Sequence, residues 1–143
     1  MTYRYLDNIA TADVAFEAWG KSERELFITA ADAVLNAMVE NPDSVIDRVE
    51  RIISLQAESL EMLLFQLLGE IIFYKDAEQL FLRVRDVRIE NDSDNFIIEA
   101  AAFGEKINPS RHELNVDVKA VTLHRFSVEK TDIGWKAIVV LDV

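Results

Sequence analysis

The chain of 143 residues has no cysteine, and it has only two histidines, two prolines and four glycines. The missing cysteines exclude disulfides, thiolate metal sites and cysteine nucleophiles. With His112 and His124 as the only imidazoles, a structural zinc centre, built mostly on Cys and His, is not expected. Gly20, Gly69, Gly104 and Gly134 stand singly, so no glycine-rich phosphate loop can form. Scarce proline beside a hydrophobic content of 50% argues for a packed core and against disorder. No apolar run is long enough to cross a bilayer, and Met1-Thr2-Tyr3-Arg4-Tyr5 lacks the apolar stretch of a signal peptide. A cytoplasmic protein folded as one domain over residues 1–143 is expected.

Positive charge is also short, with 15 Lys and Arg against 26 Asp and Glu and a formal net charge of −11. Phosphate backbones are bound mainly by neutralising their charge, so stable direct binding of nucleic acid is not expected. An anionic membrane surface is disfavoured for the same reason. A cation, or a protein with a cationic surface, is the more natural partner.

The hydrophobic pattern predicts two principal helices. Ser22 and Glu25 fit a capping box, and Leu26, Ala30, Ala33, Val34, Ala37 and Met38 recur at helical spacing before Asn41-Pro42 closes the segment. Ser59 is a candidate N-cap for a second helix carrying Leu60, Leu63, Leu64, Leu67, Leu68, Ile71 and Ile72. Met62, Phe65 and Phe73 widen its apolar surface, leaving Glu61, Gln66 and Glu70 as a narrow outer face. Burial between layers is expected, with a monomer or weak dimer as the assembly.

The rest reads as strands. Val49, Ile53, Leu55 and Ala57 alternate between the helices. Leu80, Leu82 and Val84 are out of phase with Val87 and Ile89, which a bulge near Asp86 reconciles. Asn91 to Asn95 forms a turn, Phe96 to Ala102 returns, and a loop is expected from Gly104-Glu105 to Ser110. Val116, Val118, Ala120, Thr122, His124, Phe126 and Val128 form the longest alternating run, with His124 on its apolar phase. Thr131 to Gly134 turns into a last strand ending at Leu141-Asp142-Val143. The fold class is α+β: a mainly antiparallel sheet with the two helices packed on one face.

No residues here have the spacing of a catalytic triad or of paired acid and base groups. Ser110 and His112, two positions apart, do not make one. The ends of the sequence hold the more suggestive chemistry. If the strand after Asp13 meets the last strand, Asp13, Asp142 and the Val143 carboxylate make an all-oxygen cluster. Such a set needs a hard divalent ion, a lysine or protonation to offset its repulsion. Two solvated acids at strand ends are the alternative. Lys119 lies on the polar phase of its strand, either solvated or turned toward an acidic cluster.

Several segments taken together resemble the archease family. They are Tyr5-Leu6-Asp7 through Asp13, the helix Leu60-Glu61-Met62-Leu63-Leu64, Gly104-Glu105 with His112 downstream, Val118-Lys119-Ala120-Val121-Thr122, and Trp135 to Val143. The resemblance covers the whole chain in order. It implies an accessory protein and not an enzyme: an activator of an RtcB-type RNA ligase in tRNA splicing and repair, promoting guanylylation of the ligase and its multiple turnover. It also implies a divalent metal site, with calcium expected first and magnesium or manganese as alternatives. Carried over by position, the ligands are Asp13, Asp142 and Val143. Lys119 is the functional basic residue, and Asp7 and His112 are accessory. The opening motif departs from the family: Asn8 stands where a histidine is usual, and the spacing from Asp7 is stretched by two residues to reach Asp13. Asn8 cannot titrate near neutrality. Two other functions are a chaperone or specificity modulator of another RNA-modifying enzyme, such as a tRNA methyltransferase, and a metal-dependent hydrolase.

Overall fold

The computed structural model describes residues 2–7 and 13–143. The first strand, β1 (Thr2–Leu6), pairs antiparallel with β2 (Asp13–Gly20). Helix α1 (Glu23–Met38) then starts where expected, because the Ser22 hydroxyl oxygen accepts the Glu25 amide at 3.1 Å. Twelve of its 16 residues are buried, so it is enclosed on most sides. A short 3-10 turn at Pro42–Ser44, capped by Asn41, leads to β3 (Val49–Ala57).

Helix α2 (Leu60–Glu78) is capped by Ser59, whose hydroxyl oxygen accepts the Met62 amide at 3.2 Å. Its buried stripe is Leu63, Leu64, Leu67, Leu68, Ile71, Ile72 and Lys75. The helix thus runs through Lys75-Asp76-Ala77-Glu78 to a left-handed cap at Gln79. Met62 and Phe73 remain exposed.

Four long strands follow: β4 (Leu80–Asp92), β5 (Asn95–Lys106), β6 (Ala120–Thr131) and β7 (Gly134–Asp142). The irregularity in β4 falls between Val84 and Asp86, as its change of phase requires. The strands divide into two antiparallel sheets, ordered β1-β2-β7-β6 and β3-β5-β4. Both helices pack against both sheets. One continuous core results, with Phe16, Phe27, Leu35, Leu64, Leu67, Leu82 and Val139 all buried in it. This is the expected α+β class with antiparallel strands and two helices. Among the described residues, no helix is long and apolar enough to cross a membrane.

Three local expectations are corrected. Gly104 and Glu105 do not begin a loop. They belong to β5, where Gly104 pairs with both Leu82 and Val49. Only glycine fits there, since a Cβ would fall on the Phe81 carbonyl oxygen. The strand expected from Val116 starts at Ala120, and residues 115–119 run outside the strands. His124 is exposed and not on an apolar face. The β6–β7 ladder breaks between Thr122 and Ser127, which oppose Val140 and Ile138. β6 therefore carries three residues more than its partner over that stretch. Arg125 within the bulge adopts a φ of 56°.

Candidate functional site

The register of the four-stranded sheet brings the acidic ends of β2 and β7 side by side. Asp13 is the direct partner of Asp142, and Asp142 in turn pairs with Ala120 of β6. Directly opposed residues in an antiparallel pair point to the same side of the sheet. Phe16, Ala18, Ala137 and Val139 are buried toward the core, so alternation turns Asp13 and Asp142 to the other side, shared with Glu17 and Lys136. Asp13 is half-buried and Asp142 exposed. The Lys119 amide donates to the Asp142 carbonyl oxygen at 2.8 Å, which sets Lys119, exposed, at the same edge. Val143 follows and packs partly on the core.

Like charges directly opposite one another destabilise a sheet. Glu17, two residues along β2, has its repulsion answered: Arg4 bonds it at 2.7 Å and Lys136 at 3.1 Å. The Arg4 bond chiefly, with Lys136, holds the Glu17 carboxyl below its ordinary pKa despite burial. Among the described residues, neither Asp13 nor Asp142 has such a salt-bridge partner. Two adjacent carboxylates have the donor chemistry that a hard divalent cation accepts. Among the described residues, no three His, Cys, Asp or Glu side chains gather into a metal-holding group.

The segment before β6 is held from two directions. The Asn115 and Val116 amides donate to the carbonyls of Met38 and Ala37, at 2.9 and 3.2 Å. They satisfy acceptors that the C-terminus of α1 would otherwise leave open. From α2, the Lys75 ammonium donates to Asp117 Oδ1 at 2.5 Å and to the Val118 carbonyl at 2.7 Å. It also meets Asp76 Oδ1 at 2.7 Å. Burial disfavours the charged lysine, but the bonds to Asp117 and Asp76 outweigh it and raise the Lys75 pKa.

His112 belongs to a different cluster, around Glu105. Its Nε2 lies 3.0 Å from Glu105 Oε2, and its Nδ1 accepts the Asn108 amide at 3.0 Å. An accepting Nδ1 fixes the neutral tautomer with its proton on Nε2, donating to Glu105. Glu105 also accepts from the Ile46 amide at 2.8 Å, from Arg48 at 3.1 Å and from Arg111. Burial alone would raise its pKa, but these donors pull the carboxyl down to about 2. Every partner is internal to the fold, so this cluster reads as a fastening for the loop that carries His112.

Of the other expected residues, Asp7 is exposed in a bend after β1. Asn8, in the place of the usual histidine, lies outside the described residues. A pocket of about 470 Å³ lined by Trp19, Lys21, Ile133 and Trp135 is at the far end of the same strands, where Gly20 pairs with Trp135. Lys75 was missed by sequence reasoning, although a lone lysine seven positions after Leu68 continues the buried stripe and was a usable signal.

The chain as a whole is similar to known proteins. The model of the Archease protein family (MTH1598/TM1083) matches residues 3–143. Protein archease of Archaeoglobus fulgidus is 38% identical over 144 residues, covering 100% of both chains. That of Methanosarcina mazei is 34% identical over 142 residues, covering 99% of this chain and 95% of its own. The solution structure of Methanobacterium thermoautotrophicum protein 1598 superposes with a TM-score of 0.85 at 32% identity, covering 99% of this chain and 98% of that one. A Thermotoga maritima archease, described as a possible chaperone, shares the fold with a TM-score of 0.60 at 21% identity, covering 94% of this chain and 93% of its own. The chain belongs to the archease family.

Proposed function

We propose that this protein is an accessory factor that activates an RtcB-type RNA ligase of tRNA splicing and repair in the cytoplasm. It promotes guanylylation of the ligase and allows multiple turnover, and it does not turn over a substrate itself. The side chains of Asp13 and Asp142 and the carboxylate at Val143 hold a divalent ion, calcium before magnesium or manganese, with Lys119 as the basic residue beside it. An ion there would offset the repulsion among these carboxylates and could offer an open coordination position to a phosphate oxygen.

The observation that carries the reading is the direct pairing of Asp13 with Asp142, with the Lys119 amide bonded to the Asp142 carbonyl beside it. Family membership supports it at a coarser level. The net charge of −11 favours docking on a cationic, RNA-handling surface.

The test is guanylylation of the cognate ligase with GTP and metal at substoichiometric amounts of this protein. Wild type is run beside Asp13→Ala, Lys119→Ala and a chain lengthened beyond Val143. Strong stimulation by wild type, lost in folded variants, is the expected result. Absence of stimulation by wild type would shift the reading to a chaperone or modulator of another RNA-modifying enzyme.

A further inference from the structure

We infer that Lys75 is a positioning residue, which from inside α2 holds the 117–119 segment so that Lys119 stands beside Asp142. The inference rests on the proposed function for its consequence, while its geometry stands on its own.

Lysine is seldom buried unless it is paired. Lys75 is 7% exposed, in line with Leu68, Ile71 and Ile72 on the buried stripe. A methionine or leucine would cover the same core surface without desolvating an ammonium. The charge is therefore informative, and all three of its bonds can be followed. The bond to Asp76, its neighbour on the helix, orients the amine locally. The other two reach across 42 and 43 positions, to Asp117 Oδ1 and the Val118 carbonyl.

That carbonyl belongs to the peptide group whose amide is that of Lys119. The same peptide unit therefore accepts from Lys75 on one side and donates to Asp142 on the other. The Val118 side chain is wholly buried, which fixes the third direction. A trans peptide unit is planar, so clamping its oxygen and its N–H sets where the next Cα and side chain begin. Asp117 is 76% exposed at its side chain and has no burial requirement of its own. Its place is explained by the lysine it meets.

Lys75 itself bonds Asp76, Asp117 and the Val118 carbonyl, and neither member of the acidic pair. Lys75 acts through backbone, and its removal should leave Asp13 opposite Asp142 in the β2–β7 ladder. What it should change is the approach of Lys119.

The test pairs Lys75→Met, which keeps the aliphatic stem, with Lys75→Arg as the conservative rescue and Asp117→Asn as a mild second lesion at an exposed position. Amide hydrogen exchange is read on the whole chain. In Lys75→Met the Lys119 amide is expected to exchange on the order of tenfold faster or more, with Val128 and Ala137 of the β6–β7 ladder unchanged. Asp117→Asn should show a smaller change in the same place, and Lys75→Arg should restore protection. In the guanylylation assay, maximal stimulation should fall in Lys75→Met while the concentration for half-maximal effect stays constant, because the lysine, 7% exposed, offers a docking partner little surface. If Lys75→Met does not fold, Asp117→Asn decides by the same Lys119 amide. Unchanged Lys119 protection in the folded variants would overturn the inference, as would faster exchange spread evenly over the chain. A wild type that stimulates no ligase sinks the proposed function, and the exchange result still decides the role of Lys75.

Discussion

Asp13 faces Asp142 across the β2–β7 pair, two carboxylates on one side of a sheet whose next acid, Glu17, is bonded by both Arg4 and Lys136. Among the described residues that contrast sets the pair apart, and it has a measurable consequence. In chelator, Asp13→Asn should raise stability by about 0.2–1 kcal/mol through relief of like-charge opposition. With calcium at a hundredfold excess over its dissociation constant, wild type should gain about 2.7 kcal/mol, and the variant much less. Thermal unfolding with EDTA and with calcium checks both directions.

Glu105 predicts an acid limit. Its folded pKa, about 2, lies below the ordinary glutamate value of 4.5. Its contribution is therefore fully present above about pH 4.5 and is lost as pH falls toward 2. Glu105→Gln keeps an acceptor but loses the charge that Arg48, Arg111 and His112 address. It should cost about 1–3 kcal/mol at neutral pH. The deficit should shrink as the pH is lowered through that window, as read by denaturant midpoints.

The face of α2 can be mapped by truncation. Leu64 is fully buried, and Leu64→Ala should cost about 2–5 kcal/mol. Phe73 is 55% exposed on the same helix, and Phe73→Ala should cost about 1 kcal/mol or less. Urea unfolding of the two variants gives the comparison.

Arg125 carries a left-handed φ of 56°, which is unfavourable for any residue with a Cβ. Arg125→Gly should be neutral or stabilising by up to about 1 kcal/mol, and Arg125→Val destabilising by about 1–2 kcal/mol. Equal effects of the two in a thermal melt would remove backbone conformation as the reason.

Much of this is legible in the sequence wherever the signal is local. Ser22 and Ser59 cap their helices, the phase change in β4 falls at Asp86, and a two-residue turn joins Thr131 to Gly134. The meeting of Asp13 with Asp142 was also foreseeable, since a strand follows one and precedes the other. What escaped depends on distant partners. Lys75 sits in the charged last turn of α2, and only Asp117, 42 positions on, supplies the pair that lets it be buried. Glu105 looks like a loop acid until Arg48, 57 positions earlier, is brought beside it. His124 was assigned a face by counting alternation through a bulge, where three extra residues reset the phase.

The pairing of β2 with β7 also governs when the acidic pair can exist. The two aspartates are separated by most of the chain, and the strands that join them close the longest loop in the fold. Closure of so long a loop is among the last contacts to repay its entropy. A partly folded chain, or one still emerging during synthesis, therefore lacks the site altogether. On the proposed function, cation affinity at Asp13 and Asp142 would then gauge completed folding, and only finished molecules would present that edge to a partner.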